Sequence, residues 1–297
     1  MTTRTAQAAD GTPLHVVESG RPDAPVTVVL AHGWTLDERC WAPVADSLSV
    51  GDVRVVRYDH RGHGRSGAVD PATMTLDQLA DDLAALIGQV APHGPLVLAG
   101  HSMGGMTTMA LADRHPDLAR ERVAGLALVA TASGGLGGQT FGMPSAAFEL
   151  VRAAEKKLYA SKGWSTRRAL SRHPTLLSPA MRWLLLGPHA GRQALRITTA
   201  SVSACRPLTV SGFRPTLEAH ERDAALALYA QVPTHVMVGT RDRLTPPRYA
   251  RRIREGLPSA QLTVFPDAGH MLPVERTAGV AGRIAALART AAGTRAA

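Results

Sequence analysis

The chain has 297 residues, 45% hydrophobic, 19% charged and only 4% aromatic. That apolar share excludes a disordered chain, and the length allows one enlarged domain or a domain carrying an insertion. No apolar run approaches the roughly 18 residues that span a bilayer, so no transmembrane segment is expected.

The N-terminal twenty residues lack the apolar stretch of a secretory signal, which points to the cytoplasm. Cys40 and Cys205 are the only cysteines, and free thiols are expected of both. The net charge is 33 − 24 = +9, and residues 133–229 carry most of it, with 13 Lys+Arg against 5 Asp+Glu. Such a block suits an anionic substrate, an acidic carrier or an anionic membrane surface. A solvated Arg-rich helical surface is the simpler reading. Nucleic acid is not expected as a partner, because no nucleic-acid motif or interleaved aromatic platform accompanies the charge.

In chain order, strands are predicted at Thr12–Glu18, Val26–Ala31, Val53–Tyr58, Pro95–Ala99, Val123–Ala130, Thr234–Val238 and Gln261–Phe265. Several are continuous apolar runs, the pattern of strands buried on both faces. Helical patterns lie between them, so a largely parallel sheet covered by helices is expected. Thr75-Leu-Asp-Gln78 has the form of a capping box and opens a helix through Leu79, Leu83, Leu86 and Val90. Val280, Ile284 and Leu287 mark a C-terminal helix, expected to fray from Arg289. After Ala130 the alternation stops. About 90 residues of helical pattern follow, too many for a loop in a compact domain. Residues 133–229 are therefore expected to form an inserted helical cap, with helices over 146–158, 165–171, 179–186 and 191–204. Residues 1–132 and 230–297 form the core.

The strongest chemical signal is Gly100-His101-Ser102-Met103-Gly104. A predicted strand runs into it and a helix runs out. That is the context in which a sharp turn lifts a serine above a sheet edge as a nucleophile. A serine there needs a base within hydrogen-bond reach. Met106 and Met109 on the following helix are expected to pack in the core.

Five motifs together resemble the α/β-hydrolase superfamily over most of the chain outside the cap. They are His32-Gly33-Trp34, Asp59-His-Arg-Gly-His-Gly-Arg-Ser66, Gly100-His-Ser-Met-Gly-Gly105, Gly239-Thr-Arg-Asp242 and Gly269-His270. The nearest likeness is to cap-bearing bacterial esterases, monoacylglycerol-lipase-like enzymes and cofactor-free haloperoxidases. The resemblance implies an α/β-hydrolase fold with a mostly parallel eight-stranded sheet. It also implies the chain order nucleophile, acid, base. Ser102, Asp242 and His270 fit that order. Asp267 has a weaker claim as the acid, and the region after the sixth strand offers no carboxylate. The backbone amides of Trp34 and Met103 would form the oxyanion hole. His32, His60, His63 and His101 would orient backbone or line the floor of the site. His115, His173, His189 and His220 have no chemical context and are expected at the surface or in the cap. Trp34, Trp164 and Trp183 are candidate substrate contacts, and Leu184–Leu186 either join them or pack the cap on the core.

The expected activity is hydrolysis of a small to medium apolar carboxylic ester through an acyl-enzyme. Alternatives on the same residues are a perhydrolase or haloperoxidase, a C–C hydrolase or an acyltransferase. A non-catalytic ligand-binding protein on this fold is a remote reading. Ser102 excludes relatives that attack with an aspartate. No cofactor is expected, and no His/carboxylate set has metal-ligand spacing.

Overall fold

The computed structural model describes residues 1–138, 146, 149–150, 153 and 178–293. Eight strands form one sheet: β1 (Thr2–Gln7), β2 (Pro13–Gly20), β3 (Thr27–Ala31), β4 (Arg54–Tyr58), β5 (Leu96–His101), β6 (Val123–Val129), β7 (Thr234–Gly239) and β8 (Gln261–Phe265). Their spatial order is β1-β2-β4-β3-β5-β6-β7-β8. β2 runs antiparallel to both β1 and β4, and every pair from β4 to β8 is parallel. Seven strands match the predicted runs to within a few residues. The eighth, β1, reads TTRTAQ and buries only Ala6. Its backbone pairing at the sheet edge needs no apolar run, so hydropathy could not find it.

The central strands β3, β5 and β6 are almost wholly apolar because successive side chains feed different layers. On β3, Val29 and Ala31 enter one core cluster while Val28 and Leu30 enter the other. Leu96 and Leu98 against Val97 and Ala99 do the same on β5, as do Leu126 and Leu128 against Ala127 and Val129 on β6. A period of two with both faces covered leaves no polar position.

Four helices precede the insertion: α1 (Ala42–Leu48), α2 (Leu76–Val90), α3 (Met103–Arg114) and α4 (Pro116–Arg122). Thr75 caps α2 as predicted, its side chain accepting from Gln78 N at 3.1 Å. The return bond of the capping box is replaced: the Gln78 side chain donates to Asp82 instead. Met106 and Met109 are buried in the core. The region between β6 and β7 contributes α5 (Ser178–Leu185), α6 (Arg192–Ala204) and α7 (Pro207–Glu218), with a 3-10 helix at Ala224–Tyr229. α5 and α6 lie where helices were expected. α7 was not among the expected helices; Pro207 suits its first position, but Gly212 and Pro215 lie in its interior, where both weaken a helix. Tertiary anchoring overrides them: Phe213 is fully buried, and Thr209 Oγ1 donates to Gly62 O at 2.8 Å. The helices expected over 146–158 and 165–171, and with them Trp164, His173 and all but four single positions, fall outside the described residues.

The two ends of the 133–229 segment are tied to each other, and its C-terminal end to the rest of the chain. Ser133 Oγ donates to Asp223 at 2.5 Å, Arg222 pairs with Asp77 and Asp113, and Arg252 pairs with Glu221 and Asp223. His220, expected at the surface or in the cap, is buried in this joint, its Nε2–H donating to Ala132 O at 3.0 Å. Burial lowers its pKa to about 4.

After the insertion come α8 (Pro247–Gly256), α9 (Leu272–Glu275) and α10 (Thr277–Gly293). α10 continues past Arg289, where fraying was expected, because Ala291 is still buried against the sheet. Cys40 and Cys205 are free thiols. Among the described residues no helix is long and apolar enough to cross a membrane.

Candidate active site

The chain passes from β3 outward to β4 and then back across β3 to β5. Loops at the carboxyl ends of β3 and β5 therefore diverge, and such a reversal of strand order opens a crevice. Ser102 sits there, directly after β5, with φ 51° and ψ −118°. A non-glycine residue in that region costs about 1–3 kcal/mol and persists only where its surroundings enforce it. Here Ser102 N donates to Val129 O at 2.9 Å. Its carbonyl accepts from Gly105 N, Met106 N and Thr131 Oγ1. The turn also needs close backbone approach: a Cβ on Gly104 would strike the Ala31 carbonyl, and one on Gly100 the Gly104–Gly105 peptide. Among the described residues, all hydrogen bonds of Ser102 are made through its backbone, which leaves the hydroxyl uncommitted.

Asp242 and His270, 28 residues apart, meet after β7 and β8. His270 Nδ1 lies 2.8 Å from Asp242 Oδ2. Asp242 is held from four directions. Oδ1 accepts from Leu244 N at 2.9 Å and Thr245 N at 2.8 Å, and Oδ2 also accepts from Thr245 Oγ1 at 2.8 Å. Burial pushes this carboxyl up. The neighbouring imidazole and the hydrogen bonds from His270 and Thr245 outweigh it, so its pKa is lowered. The carboxylate stays ionised and fixes the proton on Nδ1, leaving Nε2 of the neutral ring as the basic nitrogen. Thr245, whose Oγ1 also lies 3.3 Å from His270 Nδ1, escaped sequence reading. Its signal is the spacing Asp242-x-x-Thr245, in which an Asp accepts from backbone two and three residues ahead.

His101 links the two halves of the site. Its Nε2–H donates to the His270 carbonyl at 2.9 Å, and the two rings stand 4.9 Å apart. Burial, with the neighbouring His270, lowers its pKa to about 3, so it remains neutral. Ser102 is thus one residue from a side chain anchored on the His270 loop.

The loop after β3 faces the nucleophile turn, since a Cβ on Gly33 would lie 3.2 Å from Ser102 Cβ. His32 Nδ1–H donates to Gly33 O at 2.8 Å, and Leu36 N donates to the same oxygen at 3.1 Å. In a trans peptide the C=O and the following N–H point opposite ways. Fixing the Gly33 carbonyl therefore fixes the direction of the Trp34 N–H. His32 Nε2 in turn accepts from His60 N at 3.0 Å, and His60 Nε2–H donates to His32 O at 3.1 Å. His63 is buried beside them, with its pKa lowered by burial to about 3. These histidines are neutral struts, as their motif positions implied. Thr35, with φ 64°, places a strained residue in this loop as Ser102 does in the turn after β5. Among the described residues neither the Trp34 nor the Met103 amide is tied up in a hydrogen bond. Two donors beside a strained serine can stabilise a developing oxyanion.

Trp34 is partly buried, and the Arg214 guanidinium of α7 lies 5.2 Å from the centre of its ring. Trp183 is 50% exposed and stacks with Arg243 at 4.6 Å. It lines a groove of about 530 Å³ to which neither Ser102 nor His270 contributes. Leu185 and Leu186 pack into the core cluster that contains Met271. Asp267 pairs with Arg241 at the surface, away from the imidazole. Among the described residues no group of three His, Cys, Asp or Glu could hold a metal.

Residues 28–283 match the model of the alpha/beta hydrolase family, and the chain belongs to that family of enzymes. It is similar to a pimeloyl-[acyl-carrier protein] methyl ester esterase of Chromobacterium violaceum, at 33% identity over 250 residues, covering 82% of this chain and 86% of that one. A putative carbamate hydrolase of Variovorax paradoxus is 28% identical over 90% of this chain and 92% of its own. A shorter match, 38% identical over 102 residues, covers only 17% of the probable oxidoreductase EphD of Mycobacterium tuberculosis. In structure the chain resembles a thermophilic esterase from Thermogutta terrifontis, with a TM-score of 0.77, 25% identity and 98% and 99% of the two chains covered.

Proposed function

We propose that the protein hydrolyses a carboxylic ester through an acyl-enzyme, with Ser102 as nucleophile, His270 as general base and acid, and Asp242 as the group that orients and balances the imidazolium. The observation that supports this reading is the buried His270–Asp242 pair at 2.8 Å, linked through the ring of His101 to the turn that holds Ser102 at φ 51°. In the first step His270 Nε2 takes the Ser102 proton as Oγ attacks the carbonyl carbon. The amides of Trp34 and Met103 receive the negative charge on the carbonyl oxygen. The imidazolium then returns its proton to the leaving alcohol. A water activated by the same imidazole releases the acid and restores the serine.

The kinship with enzymes named as a methyl ester esterase and a carbamate hydrolase supports acyl-oxygen or acyl-nitrogen cleavage. The inserted segment, acting as a cap, would select the acyl group. Hydrolysis of p-nitrophenyl acetate and butyrate by wild type and Ser102→Ala tests the reading. Loss of turnover in the variant at unchanged fold is expected, and undiminished turnover refutes it.

A further inference from the structure

A second carboxylate brackets His270. Glu275, at the end of the short helix α9, accepts with Oε1 from Gly269 N at 3.1 Å and Met271 N at 3.2 Å. Its Oε2 accepts from Gly269 N at 3.1 Å and from Gly187 N at 2.7 Å. The residues before and after the imidazole-bearing residue are therefore bound to one carboxylate. The third donor, Gly187, lies in the inserted segment just after α5. That segment closes the arrangement from the other side: the Leu185 carbonyl accepts from His270 N at 2.8 Å and from Met271 N at 3.2 Å. Three consecutive amides of the loop, at 269, 270 and 271, are thus divided between Glu275 and Leu185. The packing leaves no slack, since a Cβ on Gly269 would come within 2.6 Å of Gly187 N.

Four features separate this carboxylate from an ordinary buried ion. Among the described residues it has no cationic partner at hydrogen-bond distance, and backbone amides of two segments take that place. It touches no part of the imidazole. Burial raises its carboxyl above its ordinary value despite those amides, so holding it ionised costs the folded state. And what it organises is the loop whose direction decides whether Nδ1 of His270 meets Asp242.

We propose that Glu275 is a positioning residue for His270: its carboxylate locks the 269–271 backbone and couples it to the 185–187 segment, so that seating of the insertion and alignment of the imidazole are one event. The inference rests on His270 being the base. Gln at this position keeps the shape but offers one acceptor oxygen and turns an NH2 toward backbone donors, so part of the amide set loses its acceptor.

The test compares wild type, Glu275→Gln and His270→Ala on p-nitrophenyl butyrate at 25 °C, across pH. For Glu275→Gln kcat is expected to fall about 10- to 100-fold, the scale of a small misplacement of a reacting group. KM should stay within about threefold. The acidic limb of kcat/KM should move to lower pH as the imidazolium loses its alignment with Asp242. A residue that only stabilises the fold would lower the melting temperature and leave kcat and the limb where they were, and that result overturns the proposal. Full activity in His270→Ala would instead overturn the triad reading itself. Should Glu275→Gln fail to fold, amide exchange in the wild-type protein decides. Gly187, Gly269 and Met271 are expected to exchange at least about 100-fold slower than an open chain, and in step with one another. Exchange at open-chain rates refutes the lock.

Discussion

Replacing Asp242 by Asn tests the division of labour between its two oxygens. Oδ1 receives two backbone N–H groups, from Leu244 and Thr245, while Oδ2 receives the His270 ring and the Thr245 hydroxyl. An amide has one acceptor oxygen and one NH2. If the oxygen stays with the two rigid backbone donors, the NH2 faces His270 Nδ1. Nδ1 must then become the acceptor, which moves the ring proton to Nε2. A ring protonated at Nε2 cannot remove the Ser102 proton. In a serine protease with the same three roles, this tautomer change lowers kcat about 10⁴-fold. At 1.36 kcal/mol per factor of ten, that is roughly 5.4 kcal/mol of lost transition-state stabilisation. Turnover of p-nitrophenyl acetate by Asp242→Asn is expected to fall by about that factor, with KM little changed. A loss smaller than about tenfold in a folded variant would refute the assignment of Asp242 as the orienting acid.

Other consequences can be measured on stability and specificity. Arg61, with no exposed side-chain surface, makes a two-pronged pair with Asp82 at 2.5 and 2.6 Å. Asp82→Ala leaves that buried guanidinium only the part-exposed Asp10, at 2.9 Å, and is expected to lower unfolding free energy by about 3 kcal/mol in urea titrations; a change below about 1 kcal/mol contradicts the pairing. His63 and His101, with pKa near 3, and His220, near 4, are held neutral in the folded state, whereas unfolded histidines protonate below about 6.5. The stability they contribute is complete above that value and is lost as pH falls through the window toward 4 and then 3. Urea midpoints should decline steadily from pH 7 to pH 4, and a flat profile would contradict the burial of these rings. Trp183→Ala is expected to leave kcat/KM for p-nitrophenyl acetate within about twofold, since the ring lies half exposed beside Arg243. A tenfold loss would make Trp183 a substrate contact.

The central strands β3, β5 and β6 were legible because their residues are buried on both faces of the sheet, and hydropathy reads that directly. β1 was not, since an edge strand is defined by its partner β2 and its own residues face solvent. α7 was hidden by Gly212 and Pro215 in its interior, whose local preferences yield to the burial of Phe213. Within the site, residue types at motif positions pointed to Ser102, Asp242 and His270, and the last two do meet. The supporting groups were less visible. His101 acts through the carbonyl of a residue 169 positions away, and Glu275 and Leu185 act through backbone amides. Contacts of that kind leave no trace in spacing, because either partner would suit many other places in the chain. The His32 bond to Gly33 O lay in plain view of the motif, yet its effect on the Trp34 N–H emerges only from peptide geometry.

Covalent capture at Ser102 bears most directly on the central claim. The intact protein is treated with a fluorophosphonate, digested and mapped by mass spectrometry, in wild type and in His270→Ala. The account predicts a single adduct on the peptide containing Ser102 in wild type, formed at least about 100-fold more slowly in the variant. Ester turnover with no adduct at Ser102, or labelling of Ser102 at the same rate without the imidazole, would contradict it.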